Sequence, residues 1–474
     1  MPREKPSNQK TMNRNFVKYL LFIPLLLVLA TSCKVTQTYQ SPEVSTEGLF
    51  RGANEADSNS IGRLPWSEVF QDSSLRRLIA QGVAQNLDLQ VAYTRIRQAQ
   101  AYYRQSRAAF LPDLNANAGV TGSKLSDAQG FGIRTSSVQY QLGLSSAWEV
   151  DLWGRLSSSR RAGLASLLQT EAGARAVQTG IVSGIASLYY TLLALDQQLI
   201  ITRQTVRNWD TTVTAMRALK EAARVTEAAV VQSEAQRYAA EVTIPDLVQR
   251  IRETENALSI LMGAPPAGVN RGRIDEQPTI ALLQSGIPAQ LLANRPDVQQ
   301  AEFAYRYAFE LTNVARTAFY PALTISASAG LSSLTLGNFL SPGSVAASIG
   351  AGLTQPVFNR RLNRTNLIVA QQEQQAALLG FRNTLLLAGQ EVSDALSLHT
   401  TALEKISVRT LQLTALQRSV EYTQELLRNG FANYNEVITA RQSLLAAELG
   451  RVNDRLQQLQ ATVDLYRSLG GGWQ

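Results

Sequence analysis

RPDVQQAEFAYRYAFELTNVARTAFYPALTISASAGL, residues 295–331, begins with the pattern of a helix and ends with that of a strand. The part before Pro321 is rich in alanine, glutamine and arginine, which favours a helix. The proline ends that helix because it lacks the N–H donor. Beyond it, Leu323 and Ile325 alternate with small polar residues, which is the period of a strand. The stretch therefore predicts a helix that passes directly into a strand with one apolar face.

The same pattern occurs once before, at residues 86–121. A shift of 209 positions aligns these identities: Asp88 with Asp297, Gln90 with Gln299, Ala92 with Ala301, Arg97 with Arg306, Ala99 with Ala308, Arg107 with Arg316, Phe110 with Phe319, and Pro112 with Pro321. The chain is therefore predicted to be a tandem duplication, with a first repeat at residues 64–262, a linker region at 263–294 and a second repeat at 295–474.

Each repeat is predicted to contain two strands followed by a very long helix and a return helix. The strands are expected at about 113–121, 138–150, 322–331 and 345–354. The long helices, at about 155–222 and 361–428, contain no proline and would each be about 100 Å long at 1.5 Å per residue. Their return helices are expected at 227–262 and 434–467, with Asn429 and Gly430 as a left-handed cap between the second pair.

The predicted strands have one apolar face and one small, polar face. A half-buried soluble sheet and a membrane barrel around water both show this alternation. Four strands cannot close a membrane barrel, and open edges cannot face lipid. Either several chains share one barrel or the sheet is soluble. Two chains would give about eight strands and a filled interior, and three would give about 12 strands and room for a channel. In a barrel, these residues would face lipid: Leu142, Leu144, Ile325 and Ile349. These would face water: Gln141, Ser326 and Ser348.

Residues 1–32 have the pattern of a bacterial lipoprotein signal peptide. The apolar run at 19–30 is too short to span a bilayer as a helix. Ala30-Thr31-Ser32-Cys33 resembles a lipobox, so Cys33, the only cysteine, is predicted to become the lipidated N-terminus. An ordinary secretory signal with an incidental cysteine is the alternative. Lys34 follows, instead of the aspartate that signals inner-membrane retention in enteric-type bacteria, and residues 33–63 are expected to be a polar tether.

The composition excludes several classes of function. One cysteine allows no internal disulfide and no thiolate metal cluster. His399, the only histidine, is predicted to be incidental, and no glycine-rich phosphate loop joins a strand to a helix. The net charge of +8 is spread over dispersed arginines, which argues against nucleic-acid binding. We therefore expect neither an enzyme nor a metal site, and no cofactor other than a covalent lipid on Cys33.

Several short motifs occur in an order that is specific when they are taken together. They are the segments 66–70 and 75–92, WEVDLWGR at 148–155, Arg295-Pro296-Asp297 with Ala301-Glu302, AFYP at 318–321, QPVF at 355–358 and LGGGW at 469–473. With the duplication, they make residues 33–474 resemble the outer-membrane efflux protein family, the TolC-like channels. The resemblance is strongest to the lipoprotein branch, similar to OprM and the NodT-type proteins.

This resemblance implies a mainly α-helical fold with a small transmembrane β part. The family's channels are homotrimers, with a 12-strand barrel in the outer membrane and a long α-helical barrel in the periplasm. The resemblance implies export of small molecules such as drugs, together with a periplasmic adaptor (a membrane fusion protein) and an inner-membrane pump, expected to be of the RND type. An outer-membrane exit for type I protein secretion stays open as an alternative, as does a non-conducting structural lipoprotein.

The resemblance also implies a periplasmic gate where the hairpin tips converge, here at about 222–231 and 429–441. The gate candidates are Tyr434, Glu436, Thr439, Arg441 and Glu234, and the hairpin turn is Asn429-Gly430. Thr439 stands where the family has a gate aspartate, so the charged ring is altered. Aligning residues 239–241 with 446–448 puts Glu234 opposite Arg441. The sequence thus predicts either a cross-hairpin ion pair or two solvated surface charges.

Overall fold

The structure, a computed structural model, describes residues 35–46, 48–51, 60–124, 126, 136–278 and 290–474, without the side chain of Leu292. The predicted signal peptide and Cys33 lie outside the described residues. In chain order the helices and strands are α1 Trp66–Val69, α2 Ser73–Gln85, α3 Leu87–Ala108, β1 Asn115–Lys124, β2 Ser136–Val150, α4 Arg155–Glu221, α5 Glu227–Glu241, α6 Thr243–Leu261, α7 Gln290–Asn294, α8 Pro296–Thr317, β3 Ala322–Ser333, β4 Val345–Thr354, α9 Leu362–Arg428 and α10 Tyr434–Ser468.

The predicted fold class, mainly α-helical with four antiparallel strands, is confirmed. The two long helices, α4 and α9, each contain 67 residues. Within α4, an 18-residue window is as apolar as a membrane-crossing helix, and 56% of that window is buried inside the folded chain. Most of this window therefore contributes to the protein core.

The first return helix differs from its prediction, because it is broken at Val242. The backbone N–H of Val242 bonds to the carbonyl of Tyr238 at 2.9 Å, and α5 ends there. Pro245, in the first turn of α6, has no N–H with which to continue the bonding pattern to Glu241. The helix predicted at 227–262 is therefore found, but it is interrupted at Val242, and Pro245 was the signal for this interruption.

The four strands form one antiparallel sheet in the order β1-β2-β3-β4. One row of paired residues runs Ala118, Leu142, Leu331 and Val345, and the adjacent row runs Asn117, Gly143, Gly330 and Ala346. Because directly paired residues point to the same face, the apolar side chains of all four strands share one face. The other face carries polar contacts: Asn117 to Ser145 at 2.8 Å and Ser328 to Ser348 at 2.8 Å.

The chain divides into two compact units. The first, which we call the sheet unit, contains the described residues up to Ser41 together with Ala99–Leu167 and Ala304–Leu378. The second, the helical unit, contains Pro42–Gln98, Leu168–Phe303 and Leu379–Gln474. The largest hydrophobic core belongs to the helical unit, where Ile79, Ile185, Tyr189, Leu192 and Leu258 are fully buried.

The Arg295-Pro296-Asp297 motif ties three segments of the helical unit together. The guanidinium of Arg295 bonds to Asp297, to Glu391 at 2.9 Å and to the carbonyl of Ser468 at 2.8 Å. Its side chain is only 7% exposed, and four of its five N–H donors have acceptors within the protein. The motif therefore fixes the start of α8 against α9 and the end of α10.

The segment expected to be a polar tether is in part packed. In the sheet unit, the backbone N–H of Gln37 donates to Asn313 Oδ1 at 3.0 Å, and Asn313 Nδ2 donates back to the Gln37 carbonyl at 2.9 Å. The Tyr39 ring meets Phe309 edge-on at 5.6 Å. In the helical unit, Phe50 and Ile61 are buried. These packing contacts were not predicted, because the segment is rich in small and polar residues.

Candidate functional site: the hairpin tips

The turn between α9 and α10 ends the long helix with a glycine in the left-handed conformation. Gly430 has φ 76°, the N–H of Phe431 bonds to the Leu426 carbonyl at 2.9 Å, and the N–H of Gly430 bonds to Leu427 at 3.2 Å. These two bonds are those of a Schellman cap, which satisfies carbonyls that the helix end leaves open. The sequence Asn429-Gly430 thus directs a tight reversal of the chain.

The turn between α4 and α5 uses the same two bonds without a glycine. Arg224 N–H bonds to the Leu219 carbonyl at 2.8 Å, and Ala223 N–H bonds to Lys220 at 2.8 Å. Ala223 has φ 55°, a conformation that an alanine Cβ disfavours. Both tips therefore have the same backbone design, and the first carries strain that the second avoids.

The start of α10 is fixed by a capping box and by the Tyr434 ring. Asn433 accepts from the N–H of Glu436, whose carboxylate accepts in return from the N–H of Asn433. Tyr434 is half-buried and packs against two small clusters, one around Trp209 and Ile438 and the other around Met216 and Val230. Tyr434 is thus a packing residue at the tip, and Glu436 is an exposed cap.

Arg441 joins three helices of the helical unit. Its guanidinium lies 5.7 Å from the centre of the Trp209 ring on α4 and donates to the Asn208 carbonyl at 3.0 Å. With its amide oxygen turned toward Arg441, Gln424 on α9 accepts from Nη2 at 2.8 Å. Burial lowers the pKa of Arg441. A cation over an aromatic face contributes about 0.5–2 kcal/mol, more as water is excluded.

Glu234 does not reach Arg441 in the chain. Its carboxylate pairs with Arg217, whose side chain is 63% exposed. Arg217 lies two turns of α4 beyond Trp209, about 12 Å along the helix axis at 1.5 Å per residue. Of the two alternatives that the alignment left open, the cross-hairpin ion pair between Glu234 and Arg441 is therefore not formed within one chain. The alignment gave the sequence positions correctly but could not show which residue of α4 each side chain faces.

Beside Arg441 lies a cavity of about 420 Å³ between α4, α9 and α10. Trp209, Leu444 and Leu445 give it an apolar wall, and Arg441 and Glu448 give it two charged groups. Burial raises the pKa of Glu448, and the nearby Arg451 opposes this. Thr439, two residues before Arg441 on α10, is exposed. Within the described residues no group of three or more His, Cys, Asp or Glu side chains could hold a metal ion. The arrangement fastens helices together and contains no metal-ligand cluster.

Two segments, residues 78–264 and 287–471, match the family model described as outer membrane efflux protein. The chain belongs to this family. A solvent efflux pump outer membrane protein, SrpC of Pseudomonas putida, is 28% identical over 94% of the chain and 97% of its own length. The cation efflux system protein CusC of Escherichia coli O6:H1 is 28% identical over 95% and 98%. Both names place these relatives in efflux systems, and SrpC is named as an outer membrane protein.

A solved channel supports the fold. The open-state MtrE outer membrane channel of Neisseria gonorrhoeae has a TM-score of 0.84 to this chain, covers 93% of it and 99% of its own chain, and is 24% identical.

Sequence reasoning missed the partners of the candidate residues. Arg441 contacts Trp209, Gln424 and Asn208. Glu234 forms an ion pair with Arg217. The available signal was the tryptophan itself, which stands in the polar stretch 207–212.

Proposed function

We propose that three copies of this chain form the outer-membrane exit duct of a tripartite efflux system. The observation that carries the proposal is the sheet, which has one apolar face and one small polar face and ends in the edge strands β1 and β4. Strand edges cannot face lipid, so in a membrane the edges of neighbouring copies must pair. Three copies give about 12 strands, enough to enclose a channel.

The family and the names of its members support a proposal for the partners of this chain. SrpC is named as the outer membrane protein of a solvent efflux pump, and CusC as a protein of a cation efflux system. We propose that this chain works with a periplasmic adaptor and an inner-membrane pump of the RND type, and that it exports small molecules such as drugs. These names favour efflux over protein secretion, and the genes beside this one would separate the two.

The proposal is tested with purified protein in planar lipid bilayers. We expect stepwise conductance and, by native mass spectrometry, a complex of three chains. A monomeric, non-conducting protein would support a structural lipoprotein instead.

We also propose that Cys33 carries the lipid that anchors the mature chain to the outer membrane. The reason for this proposal is the lipobox that ends at Cys33, in a chain with no other cysteine. Mass spectrometry of the N-terminal peptide should find a diacylglyceryl-cysteine, with palmitate among its acyl chains, whereas a free thiol or cleavage elsewhere would contradict it. Cys33→Ser should weaken the anchoring while the barrel still holds the protein in the membrane.

The gate is proposed at the hairpin tips, where Tyr434, Glu436, Thr439 and Arg441 begin α10. In a trimer, one residue per chain meets its two copies only near the threefold axis, so a narrow ring needs residues at converging tips. The contacts of Arg441 with α4 and α9 would hold each tip in its resting position. Glu234, paired with Arg217, would brace the first hairpin.

A further inference from the structure

The turn between β4 and α9 holds two consecutive arginines in the left-handed conformation. Arg360 has φ 54° and Arg361 has φ 67°. In the turn between β2 and α4, the residue directly before the helix is Gly154, with φ 81°. Glycine takes this conformation without strain, and arginine does not. The second turn therefore has two strained residues where its counterpart uses glycine, and strained residues of this kind cluster at functional sites.

In the single chain, the same turn exposes two apolar side chains. Val357 is 98% exposed and Phe358 is 86% exposed. In the counterpart turn, by contrast, Trp153 is held: its Nε1–H donates to the Pro321 carbonyl at 2.8 Å, and its ring lies 5.1 Å from Tyr320. The β4–α9 turn thus places an apolar pair beside a cationic pair. This combination suits a membrane surface, where apolar groups enter the acyl region and cations meet anionic headgroups.

The position of the β4–α9 turn at one end of the sheet, and the charges around it, agree with contact to a membrane surface. The turn leaves the end of the sheet where Val150, Leu323 and Leu353 form an apolar row. Further exposed arginines flank the same strand ends, namely Arg107, Arg155, Arg160 and Arg364. Of the acidic residues there, Asp113, Glu149 and Asp151, Glu149 is already paired with Arg155. This end of the sheet therefore carries an excess of positive charge.

We propose that Val357, Phe358, Arg360 and Arg361 bind anionic phospholipid at the membrane surface that borders this end of the sheet. The inference rests on the proposed function, because it needs the sheet to span a membrane. Guanidinium groups donate paired hydrogen bonds to phosphate, which fits arginine better than lysine. Within the described residues, neither Arg360 nor Arg361 forms an ion pair with an acidic side chain, so both are available.

The full-length protein, in detergent with equal amounts of phosphatidylglycerol and phosphatidylethanolamine, tests this by native mass spectrometry of bound lipid. The wild type should retain phosphatidylglycerol preferentially. Arg360→Gln with Arg361→Gln should lower that preference by about fivefold or more, since each basic residue near an anionic surface contributes measurably. The matched control is Arg418→Gln with Arg428→Gln, two exposed arginines far along α9. It should behave as wild type. An unchanged preference in the first variant, or an equal loss in the control, overturns the proposal.

Two further variants separate lipid binding from a structural role. Arg361→Gly relieves the left-handed strain, so it should raise the unfolding temperature while it lowers phosphatidylglycerol retention. A fall in both would indicate a structural role and count against the proposal. In Phe358→Trp, the fluorescence that the new tryptophan adds to that of the wild type should be quenched by vesicle lipids brominated on their acyl chains. The same substitution at Ile368 on α9 is the control. Absence of added quenching at position 358 overturns the apolar contact. Conductance of the same preparations is measured separately, so failure of the channel function remains distinguishable from failure of lipid binding.

Discussion

The guanidinium of Arg441 on α10 lies 5.7 Å from the centre of the Trp209 ring on α4. Trp209 is 3% exposed, so the ring face that Arg441 covers is otherwise enclosed by protein. The two residues belong to different halves of the chain and connect the two hairpins close to their tips. A change in the angle between the hairpins would have to break this contact and the bond to Asn208.

Trp209→Leu and Arg441→Gln should each raise the resting conductance of the channel. Loss of the cation–aromatic contact and a hydrogen bond removes about 1–2 kcal/mol from the closed state, or up to about 30-fold in the open-to-closed ratio. Single-channel recording measures this, with Arg418→Gln as the exposed control on α9. If both variants conduct like the wild type, the gate is held elsewhere.

Charge reversal should follow the observed pairs. Glu234→Arg should be compensated by Arg217→Glu, and not by Arg441→Glu, because Glu234 pairs with Arg217. The effect should be small and should shrink at high salt, since exposed pairs contribute at most about 1 kcal/mol and are screened. Thermal unfolding at two salt concentrations measures it. Equal rescue by Arg441→Glu would instead support the alternative ion pair between Glu234 and Arg441.

Ala223→Gly should stabilise the protein, and Gly430→Ala should destabilise it. Both positions have positive φ, 55° and 76°, in turns with the same hydrogen bonds. An alanine there costs about 1 kcal/mol relative to glycine. Chemical denaturation of the two variants gives opposite signs if the turns are equivalent. The same sign in both would mean that the caps are not equivalent.

Arginine at Ile325 should be more harmful than arginine at Ser326. Ile325 lies opposite Trp148 and Ala351 on the apolar face, and Ser326 lies opposite Ala147 and Gly350 on the other. An arginine on the lipid face costs about 2–4 kcal/mol at the bilayer midplane and about 0–1 kcal/mol near the interface, so the size of the loss also reports the depth of Ile325, whereas the lumen face tolerates an arginine. Heat-resistant assembly in outer membranes measures the difference, and Ser326→Arg should also alter conductance. Equal tolerance would argue against a membrane barrel.

Asp72 should make stability depend on acid pH. Burial alone would raise the pKa of this carboxyl, but hydrogen bonds from Gln277 at 2.7 Å, from Tyr189 at 2.8 Å and from the amides of Leu75 and Ser74 lower it below 3.8. A lowered pKa adds stability above 3.8 that is lost as the pH falls through the folded-state value. Asp72→Asn should therefore be less stable at pH 7, by about 1–3 kcal/mol. The difference in stability between the two proteins should vanish at strongly acidic pH. Denaturant unfolding at several pH values measures it. A pH-independent difference would refute this assignment.

The periodicity of the sequence predicted most of the helices and strands, whereas the contacts between individual side chains were seen only in the structure. The predicted alternation placed Leu142 and Ile325 on one face because strand period and register follow from local chemistry. The break at Val242 was readable from Pro245. The partner of Arg441 was not readable, because it depends on how three helices are rotated against one another. The sequence thus predicted which helices carry the candidate residues, but not which side chains those residues contact.

The reciprocal bonds between Gln37 and the side chain of Asn313 limit how far the proposed lipid anchor on Cys33 could lie from the sheet unit. Asn313 is fully buried in the sheet unit, so the bonded backbone of Gln37 is held in place there. Cys33 precedes Gln37 by four residues, which span at most about 14 Å even when fully extended. Acyl chains on Cys33 would enter the bilayer within that distance of Gln37. The anchor would then determine how deeply the sheet unit sits in the membrane, in addition to keeping the protein attached to it.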